Sequence, residues 1–221
     1  MKVTLITHSS VLIECEHHLL LFDFYGHSLD VNTSKPLYIF SSHAHGDHYS
    51  SSIFAIPHPN KHYILSDDIP DHKDALMVAP HHTYLIDDIY IQTLSSTDQG
   101  VAFLLQLEGK TIYFAGDLNW WHWNGEPDRD NLHQRQMYLQ EIDTLKEKFI
   151  DLACIVVDDR QEEHYLLGLQ AFMNIAQAHY ILPIHYFGHY QISSQLKKEC
   201  LDNPYHSILL YPEHDDDVFY L

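Results

Sequence analysis

The chain has 221 residues, 45% of them hydrophobic and 13% aromatic, and its 12 Lys and Arg against 31 Asp and Glu give a formal charge of −19. This length and composition are typical of one packed globular core and exclude a disordered, collagen-like or repeat chain. The negative charge and the scattered cations disfavour binding to nucleic acid or to an anionic lipid surface, because both present phosphate groups.

The first half of the chain consists of short apolar runs separated by turn residues, which predicts strands. Tyr49–Ile56 is predicted to form one or two helical turns that end before Pro57. Glu108–Lys110 is predicted to form a tight hairpin turn between the last two strands of this half. The predicted strands are Val3–Thr7, Ser10–Glu14, Leu19–Phe24, Leu37–Ser41, Tyr63–Leu65, Leu76–Val78, Thr83–Ile86, Ile89–Leu94, Val101–Leu107 and Thr111–Ala115.

From residue 116 onward, helical spacing of apolar residues alternates with buried strands. Asp130–Phe149 is predicted to be a helix with Asp128 and Asp130 as candidate N-cap residues. No linker divides the chain, so a β-rich half followed by a β/α half predicts one α/β (α+β) domain over residues 1–221, with stacked sheets and helices outside. The other predicted elements are the helices Glu162–Ala178 and Ile192–Leu201 and the strands Leu152–Val157, Tyr180–Pro183, Ile208–Tyr211 and Val218–Tyr220.

The cysteines and the N-terminal segment indicate a compartment. Cys15, Cys154 and Cys200 are odd in number and widely spaced, which fits neither a disulfide framework nor a Cys-x-x-Cys zinc site. The chain starts directly in strand-like sequence, and no apolar run reaches the roughly 18 residues of a transmembrane helix. We therefore expect a cytoplasmic protein with no membrane partner.

Histidine is unusually abundant, with 20 residues, and imidazole is a common metal ligand. The densest cluster, His43-Ala44-His45-Gly46-Asp47-His48, directly follows a predicted buried strand. In an extended backbone the first two imidazoles point to the same side, about 6 to 7 Å apart. The glycine then lets the aspartate and the third histidine fold back toward them. This pattern predicts a metal site, and a histidine-rich surface loop is the alternative.

These residues resemble the His-x-His-x-Asp-His signature of the metallo-β-lactamase superfamily, whose members bind one or two zinc ions at the edge of an αββα sandwich. Asp117, after the Thr111–Ala115 strand, looks like the bridging aspartate of that family, and His185 looks like its last histidine ligand. The resemblance implies a four-layer αββα fold. It also implies a metal site formed by His43, His45, Asp47, His48, Asp117 and His185.

Within the superfamily, the opening residues favour one branch. His8-Ser9, followed by Leu21-Phe22-Asp23, is more similar to L-ascorbate-6-phosphate lactonases and tRNA 3′-end-processing enzymes than to the antibiotic-degrading lactamases. His8 and Asp23 are predicted to fix the tautomers of metal ligands rather than to bind the metal.

One ligand of the family pattern is missing from the stretch Ser95–Phe103. Thr97 stands where the family usually has a histidine, and Asp98 is one residue away. Asp98 is the candidate replacement ligand, and the alternative is that it is a plain turn residue. The sequence therefore leaves open whether the site holds one or two ions.

Imidazole and carboxylate ligands suit Zn²⁺, with Mn²⁺ and Fe²⁺ as alternatives. A metal lowers the pKa of its bound water to about 7, and the resemblance gives Asp47 the catalytic role of orienting that water. We therefore expect a metal-dependent hydrolase of a small ester, lactone or phosphodiester. One alternative is a nuclease of the tRNA-processing type, which the charge of −19 disfavours. Another is a non-enzymatic, histidine-rich protein for metal storage or sensing.

Two further segments are predicted to lie at the mouth of the metal site. Asn119–Gly125 contains three indoles and one imidazole, and Trp120, Trp121 and His122 are predicted to wall a substrate pocket. A hydrophobic cap on the sheet edge is the alternative. Arg160 is a candidate substrate anchor, and its alternative is a structural salt bridge to a neighbouring aspartate.

Overall fold

Two β-sheets pack face to face in the computed structural model, which describes residues 1–201 and 204–221. In this part of the chain, 3₁₀-helices form at Ser51–Ala55, Asp159–His164 and Pro204–Ser207. The strands are β1 (Lys2–Thr7), β2 (Ser10–Glu14), β3 (Leu19–Phe22), β4 (Leu37–Ser41), β5 (Lys61–Ser66), β6 (Ala75–Val78), β7 (Thr83–Ile86), β8 (Ile89–Ser95), β9 (Val101–Leu107), β10 (Lys110–Phe114), β11 (Phe149–Val156), β12 (Gln177–Ile184) and β13 (Asp217–Tyr220), and the α-helices are α1 (Asp128–Asp143), α2 (Leu167–Ile175) and α3 (Gln191–Glu199).

The strand directions bring many strand ends to one side of the molecule. The first sheet has the order β13-β1-β2-β3-β4-β5-β6, and the second has the order β12-β11-β10-β9-β8-β7. Strands β3 to β6 are parallel, as are β10 to β12, and β1 shares the direction of β3 because both are antiparallel to β2. The His185 N–H donates to His8 O at 3.0 Å, which joins the two sheets where these strands end. Ligand sites of open α/β sheets lie at such carboxyl ends.

Aromatic side chains fill the space between the sheets. Phe22 stacks on Phe40 and Phe114 with ring centroids 4.8 and 4.5 Å apart, and Phe103 meets Phe40 edge-on at 5.3 Å. All four rings are fully buried, and burial of each stabilises the fold by about 2 to 3 kcal/mol. Two of these residues belong to each sheet, so this cluster holds the two sheets together.

Different kinds of element cover the outer faces of the two sheets. Helices α1 and α2 contact each other, and α2 packs on β11 of the second sheet. The outer face of the first sheet is covered by a smaller apolar cluster that includes Phe24 and Ile53, which lie in a loop and in the 3₁₀-helix after β4. The predicted α/β fold with stacked sheets is confirmed, although the layer outside the first sheet is formed by loops and a 3₁₀-helix rather than by long helices.

The first long helix is shorter than predicted. Helix α1 ends at Asp143, whereas the prediction extended it to Phe149, which begins β11 and pairs with Gln177. Leu145 and Phe149 continue the helical spacing of apolar residues, but Leu145 lies in a turn and Phe149 is the first residue of β11. The N-cap is Pro127 rather than Asp128 or Asp130, and both aspartates lie in the first turn, where negative charge favours a helix dipole.

Two other predictions also differ from the structure. The predicted helix Glu162–Ala178 is divided between a 3₁₀-helix that ends at His164 and is kinked at Glu162 (φ 53°, ψ −126°), α2, and the start of β12 at Gln177. The predicted strand Ile208–Tyr211 is reduced to one bridge between Leu209 and Ile181. The hairpin turn at Glu108–Lys110 is confirmed, with positive φ at Glu108 and Gly109.

The described residues give two findings on cysteines and membrane-spanning segments. All three cysteines are buried and free, as expected for a chain without a disulfide framework. No helix within residues 1–201 and 204–221 is both long enough and apolar enough to cross a bilayer.

Candidate metal centre

Histidine and aspartate side chains from the ends of several strands converge on one point between the sheets. His8 follows β1, the segment from His43 to His48 follows β4, and Asp117 and His185 follow β10 and β12. Three sets of potential ligands result, and within each set one nitrogen or oxygen atom per residue lies within 4.8 Å of the others. One set, Asp23, His43 and His48, shares a histidine with each of the other two, which form a first and a second group. The first group comprises His43, His45, Asp98 and Asp117, and the second comprises His8, Asp47, His48 and His185.

Asp117 belongs to the first group and also faces the second. Its Oδ2 is 3.6 Å from His43 Nε2 in the first group. Its Oδ1 is 3.2 Å from His48 Nε2 and 3.4 Å from His185 Nε2 in the second group. One carboxylate therefore faces both groups, which is the placement that a bridging ligand needs.

The first group includes the predicted replacement ligand. Asp98 Oδ2 lies 3.5 Å from His45 Nδ1, and these two side chains are 45% and 43% exposed. Thr97 is buried, and its hydroxyl donates to Asn119 O at 2.7 Å, so it serves the neighbouring loop. The turn therefore brings Asp98 to the site on its solvent side, and this placement favours the prediction that Asp98 is a ligand.

Hydrogen bonds orient three of the imidazoles through their Nδ1 atoms. His48 Nδ1 contacts Asp23 Oδ2 at 2.7 Å, and His185 Nδ1 contacts Asp158 Oδ2 at 2.9 Å. His43 Nδ1 contacts Ser42 Oγ at 2.9 Å, and Ser42 Oγ in turn donates to Asp23 Oδ2. A proton on each Nδ1 leaves the lone pair of Nε2 free for a metal, as is usual for histidine ligands. Asp23 fulfils the predicted orienting role, whereas Ser42 and Asp158 were not predicted.

The donor atoms at the centre fit a divalent metal. Nε2 of His43, Nε2 of His48 and Oδ1 of Asp117 are buried and have no hydrogen-bond partner. Leaving a buried polar atom unpaired costs about 1 to 3 kcal/mol, and both imidazole nitrogens lie within 3.6 Å of an oxygen of the Asp117 carboxylate. Imidazole nitrogens and carboxylate oxygens at such a point are the donor set of zinc and of neighbouring transition metals.

His8 differs from the other histidines in its hydrogen bonding. Phe187 N–H donates to His8 Nδ1 at 3.2 Å, so the proton of the neutral ring is on Nε2. His8 Nε2 lies 3.5 Å from Asp47 Oδ2, and burial lowers the pKa of His8 to about 4. The ring is therefore neutral, and because its Nε2 carries the proton it is not set up as a metal ligand, although this Nε2 lies among the second group and has no hydrogen-bond partner.

We expect His8→Asn to retain the full metal content and to lower hydrolysis by about 10- to 100-fold, as when a group that orients a metal ligand is lost. Asparagine is suitable because His8 has φ of 47°, a conformation that asparagine tolerates. Elemental analysis after dialysis measures the metal, and His48→Asn is the control that should lose an ion. Loss of an ion from the His8 variant would show instead that His8 is a ligand.

Charges around the centre shift the pKa values of its groups. Burial alone would raise the pKa of Asp117, but His48 and His185 more than offset it and hold that pKa well below its ordinary value. Burial alone would lower the pKa of His185, but Asp117 and Asp158 raise it to about 9. Without a metal, a proton on His185 therefore compensates the buried carboxylates.

Gly100 lets the turn after Asp98 approach the backbone beside His43. Its φ is +69°, and a Cβ at this position would lie 2.0 Å from Ser42 O and 2.7 Å from His43 Cβ. Val101 N also donates to Ser42 O at 2.9 Å. The start of β9 is thereby tied to the end of β4 next to the ligands.

We expect Gly100→Ala to lower the free energy of unfolding by about 3 kcal/mol, because both the left-handed φ and the backbone overlap oppose a side chain. Gly109→Ala is a matched control. Gly109 has the same φ of +69° but nothing within 4 Å of its Cβ, so its substitution should cost only about 1 kcal/mol. Urea unfolding of the metal-free proteins measures both values, and equal costs would refute the steric explanation.

A cleft of about 270 Å³ opens over the centre, and besides ligand residues it is lined by Trp121, Trp123, Gln134, Arg160 and Phe187. The indoles of Trp121 and Trp123 are nearly parallel, with ring centroids 5.7 Å apart. Trp121 Nε1 donates to Asp117 O at 3.1 Å, which fixes this wall to the metal centre. The predicted position of Trp121 and Arg160 at the mouth of the site therefore agrees with the structure.

Trp120 and His122 lie elsewhere. They line a separate depression of about 250 Å³ together with Asn131, Leu132 and Arg135. Trp121 and Trp123 therefore face the cleft, whereas Trp120 and His122 line the separate depression. The structure thus does not place Trp120 and His122 in the predicted pocket, and Trp123 lines the cleft although it was not predicted to do so.

Comparison with known proteins gives a likeness in structure only. No protein-family model matches the sequence, and no curated protein sequence is similar to it. The metallo hydrolase Igni18 from the archaeon Ignicoccus hospitalis is 15% identical, covers 100% of this chain and 98% of its own, and gives a TM-score of 0.66. The diiron β-hydroxylase CmlA from Streptomyces venezuelae is 10% identical and gives a TM-score of 0.64 over 100% of this chain and 54% of its own.

A third solved structure is described by the name of its fold. The metallo-β-lactamase fold protein YhfI from Bacillus subtilis is 15% identical, and the alignment covers 99% of each chain with a TM-score of 0.57. The fold that the sequence resemblance implied is therefore observed over nearly the whole length. The chain has the metallo-β-lactamase fold.

Proposed function

We propose that this protein is a metal-dependent hydrolase that binds one or two Zn²⁺ ions and cleaves a small ester, lactone or phosphodiester. The observation that carries the proposal is the convergence of His43 Nε2, His48 Nε2 and Asp117 Oδ1, three buried atoms without a hydrogen-bond partner. Because a diiron enzyme shares the fold, Fe²⁺ is an alternative metal, and Mn²⁺ accepts similar ligands.

The chain offers ligands for two ions. His43, His45 and Asp98 would hold one ion, and Asp47, His48 and His185 would hold the other, with Asp117 shared between them. When bound, a metal of this kind lowers the pKa of coordinated water to about 7 and polarises the oxygen of the scissile group.

Asp47 is the residue that we propose to orient the attacking water. Its side chain is 37% exposed and lines the cleft. The His8 ring, whose Nε2 lies 3.5 Å from Asp47 Oδ2, holds the pKa of Asp47 well below its ordinary value. The carboxylate is therefore ionised at neutral pH and can accept a hydrogen bond from water.

A small substrate suits the cleft better than a polynucleotide does. The cleft measures about 270 Å³, and the formal charge of −19 repels a phosphate backbone. The His8-Ser9 opening with Leu21-Phe22-Asp23 supports the branch of lactonases and tRNA-processing enzymes, and size and charge favour its small-molecule members.

We also propose a cytoplasmic location. Cys15, Cys154 and Cys200 are buried and free, and burial raises the pKa of Cys15 to about 12. Free, unreactive thiols are typical of proteins in a reducing compartment.

The test is a reconstitution screen. The protein is stripped with a chelator, reloaded with Zn²⁺, Mn²⁺ or Fe²⁺, and assayed on p-nitrophenyl esters, a lactone panel and bis-p-nitrophenyl phosphate. We expect metal-dependent turnover of at least one of these classes, and loss of that turnover in His43→Ala. Stoichiometric metal binding without turnover would favour the sensing alternative, and cleavage of a tRNA precursor would favour the nuclease.

A further inference from the structure

Arg160 holds a fixed guanidinium group at the wall of the cleft. Its Nε donates to both oxygens of Asp158, at 2.9 and 3.0 Å, and its Nη2 donates to Asp158 Oδ2. Asp158 is fully buried and also contacts His185 Nδ1. The Arg160 Cζ lies 4.2 Å from the ring centroid of Phe187. An ion pair on one edge and an aromatic ring on one face therefore fix the guanidinium plane beside the metal centre.

The predicted structural salt bridge is thus present, but it does not use the whole guanidinium group. Nη1 takes part in none of the hydrogen bonds of the described residues, and the Arg160 side chain is 48% exposed. A guanidinium presents five N–H donors in a planar fork. Its free edge is therefore available to a ligand in the cleft.

Charge in the cleft makes Arg160 distinctive. Among the described residues that line the cleft, Arg160 is the one Lys or Arg, beside three carboxylates, Asp47, Asp98 and Asp117. These carboxylates belong to the two ligand groups, so bound metal would compensate their charge. Arg160 then remains as a donor for an anionic group of the substrate.

The cleft walls also indicate the size and polarity of the part of the substrate that does not contact Arg160. Trp121, Trp123 and Phe187 supply flat apolar surfaces on the same cleft as Arg160. Gln134 Oε1 is buried there and has no hydrogen-bond partner. A volume of about 270 Å³ admits one small molecule with an apolar body and a single charged arm.

We propose, on the basis of the function proposed above, that the substrate carries an anionic oxygen group, carboxylate or phosphate, away from its scissile bond. Arg160 binds this group through Nη1, and the aromatic walls contact the apolar body between the two ends. The specificity is therefore for small, anionic esters or lactones over neutral ones.

Matched esters test this specificity. The metal-loaded protein and its Arg160→Gln and Arg160→Lys variants are assayed on mono-4-nitrophenyl succinate and on neutral 4-nitrophenyl butyrate. We expect the wild type to prefer the charged ester by at least about tenfold in kcat/KM, since hydrogen bonds between charged groups are strong and directional. The preference should fall to near one in Arg160→Gln and be intermediate in Arg160→Lys. Arg135→Gln removes the same charge from the separate depression lined by Trp120 and should keep the preference.

A binding measurement separates this inference from the proposed function. Calorimetric titration of the metal-loaded proteins with phenylacetate, phenylacetamide and inorganic phosphate needs no turnover. Weaker phenylacetate binding in Arg160→Gln supports a carboxylate site, and a loss confined to phosphate supports a phosphate site. Equal binding of all three ligands by wild type and Arg160→Gln would overturn the inference even if esters are hydrolysed. Arginine-dependent anion binding without hydrolysis would support it while contradicting the hydrolase proposal. Metal content is measured for every variant, because Asp158 also orients His185.

Discussion

Replacing Asp117 by asparagine should remove metal from both positions and reduce hydrolysis by about a thousandfold or more. Oδ2 of Asp117 faces His43, and Oδ1 faces His48 and His185. Asparagine keeps the shape of the side chain but lacks the negative charge that two adjacent cations require. Elemental analysis and a metal-competition titration give the number of bound ions and their affinities.

Single-position variants provide the comparison for this prediction. His43→Ala should weaken the ion of the first group, and His48→Ala should weaken the ion of the second, because each histidine belongs to a different group. Asp159→Asn is the control for charge, since Asp159 lies after the neighbouring strand but contacts His189 instead of the centre. If Asp117→Asn lost no more metal than His43→Ala, Asp117 would not be a shared ligand.

The local part of the centre could be predicted from the sequence because its geometry is local. His43 and His45 follow a buried strand, and the prediction assumed extended backbone between them, with the rings about 6 to 7 Å apart. The chain instead bends at residues 44 and 45, and the two ring centroids lie 4.7 Å apart, so the side chains converge more closely than predicted. Asp117 and His185 were assigned through the family resemblance, and both lie at carboxyl ends of parallel strands. That strand-end position was the available signal for Asp158 as well.

The features that the sequence did not predict depend on contacts between distant segments and on backbone conformations. The spacing of residue types reveals neither. The tautomer of His8 is set by the backbone of Phe187, 179 positions later, and both residues have positive φ. Likewise, the indoles of Trp120 and Trp121 face opposite ways because of the path of one loop. Helix α1 ends at Asp143 although helical spacing continues to Phe149, because pairing of β11 with β12 determines the structure there.

The affinity for metal should rise steeply with pH. Without metal, Asp117 and Asp158 raise the pKa of His185 to about 9, and the pKa of His48 is also raised, since Asp117 and Asp23 outweigh the effect of burial. A metal binds the unprotonated imidazole, so below these pKa values each displaced proton weakens apparent binding by about tenfold per pH unit. The affinity should therefore increase from pH 6.5 and level off above pH 9 or so.

Calorimetry in buffers of different ionisation enthalpy counts the protons released on metal binding. At pH 7 we expect release of about one to two protons per centre, because His48 and His185 carry raised pKa values while His8 stays neutral with a lowered one. Asp158→Asn removes one of the two carboxylates beside His185, so its pKa should fall and the affinity should level off at lower pH. Metal binding that releases no proton and is constant from pH 7 to 9 would mean that the imidazoles are already neutral, and that the buried carboxylates are compensated by another group.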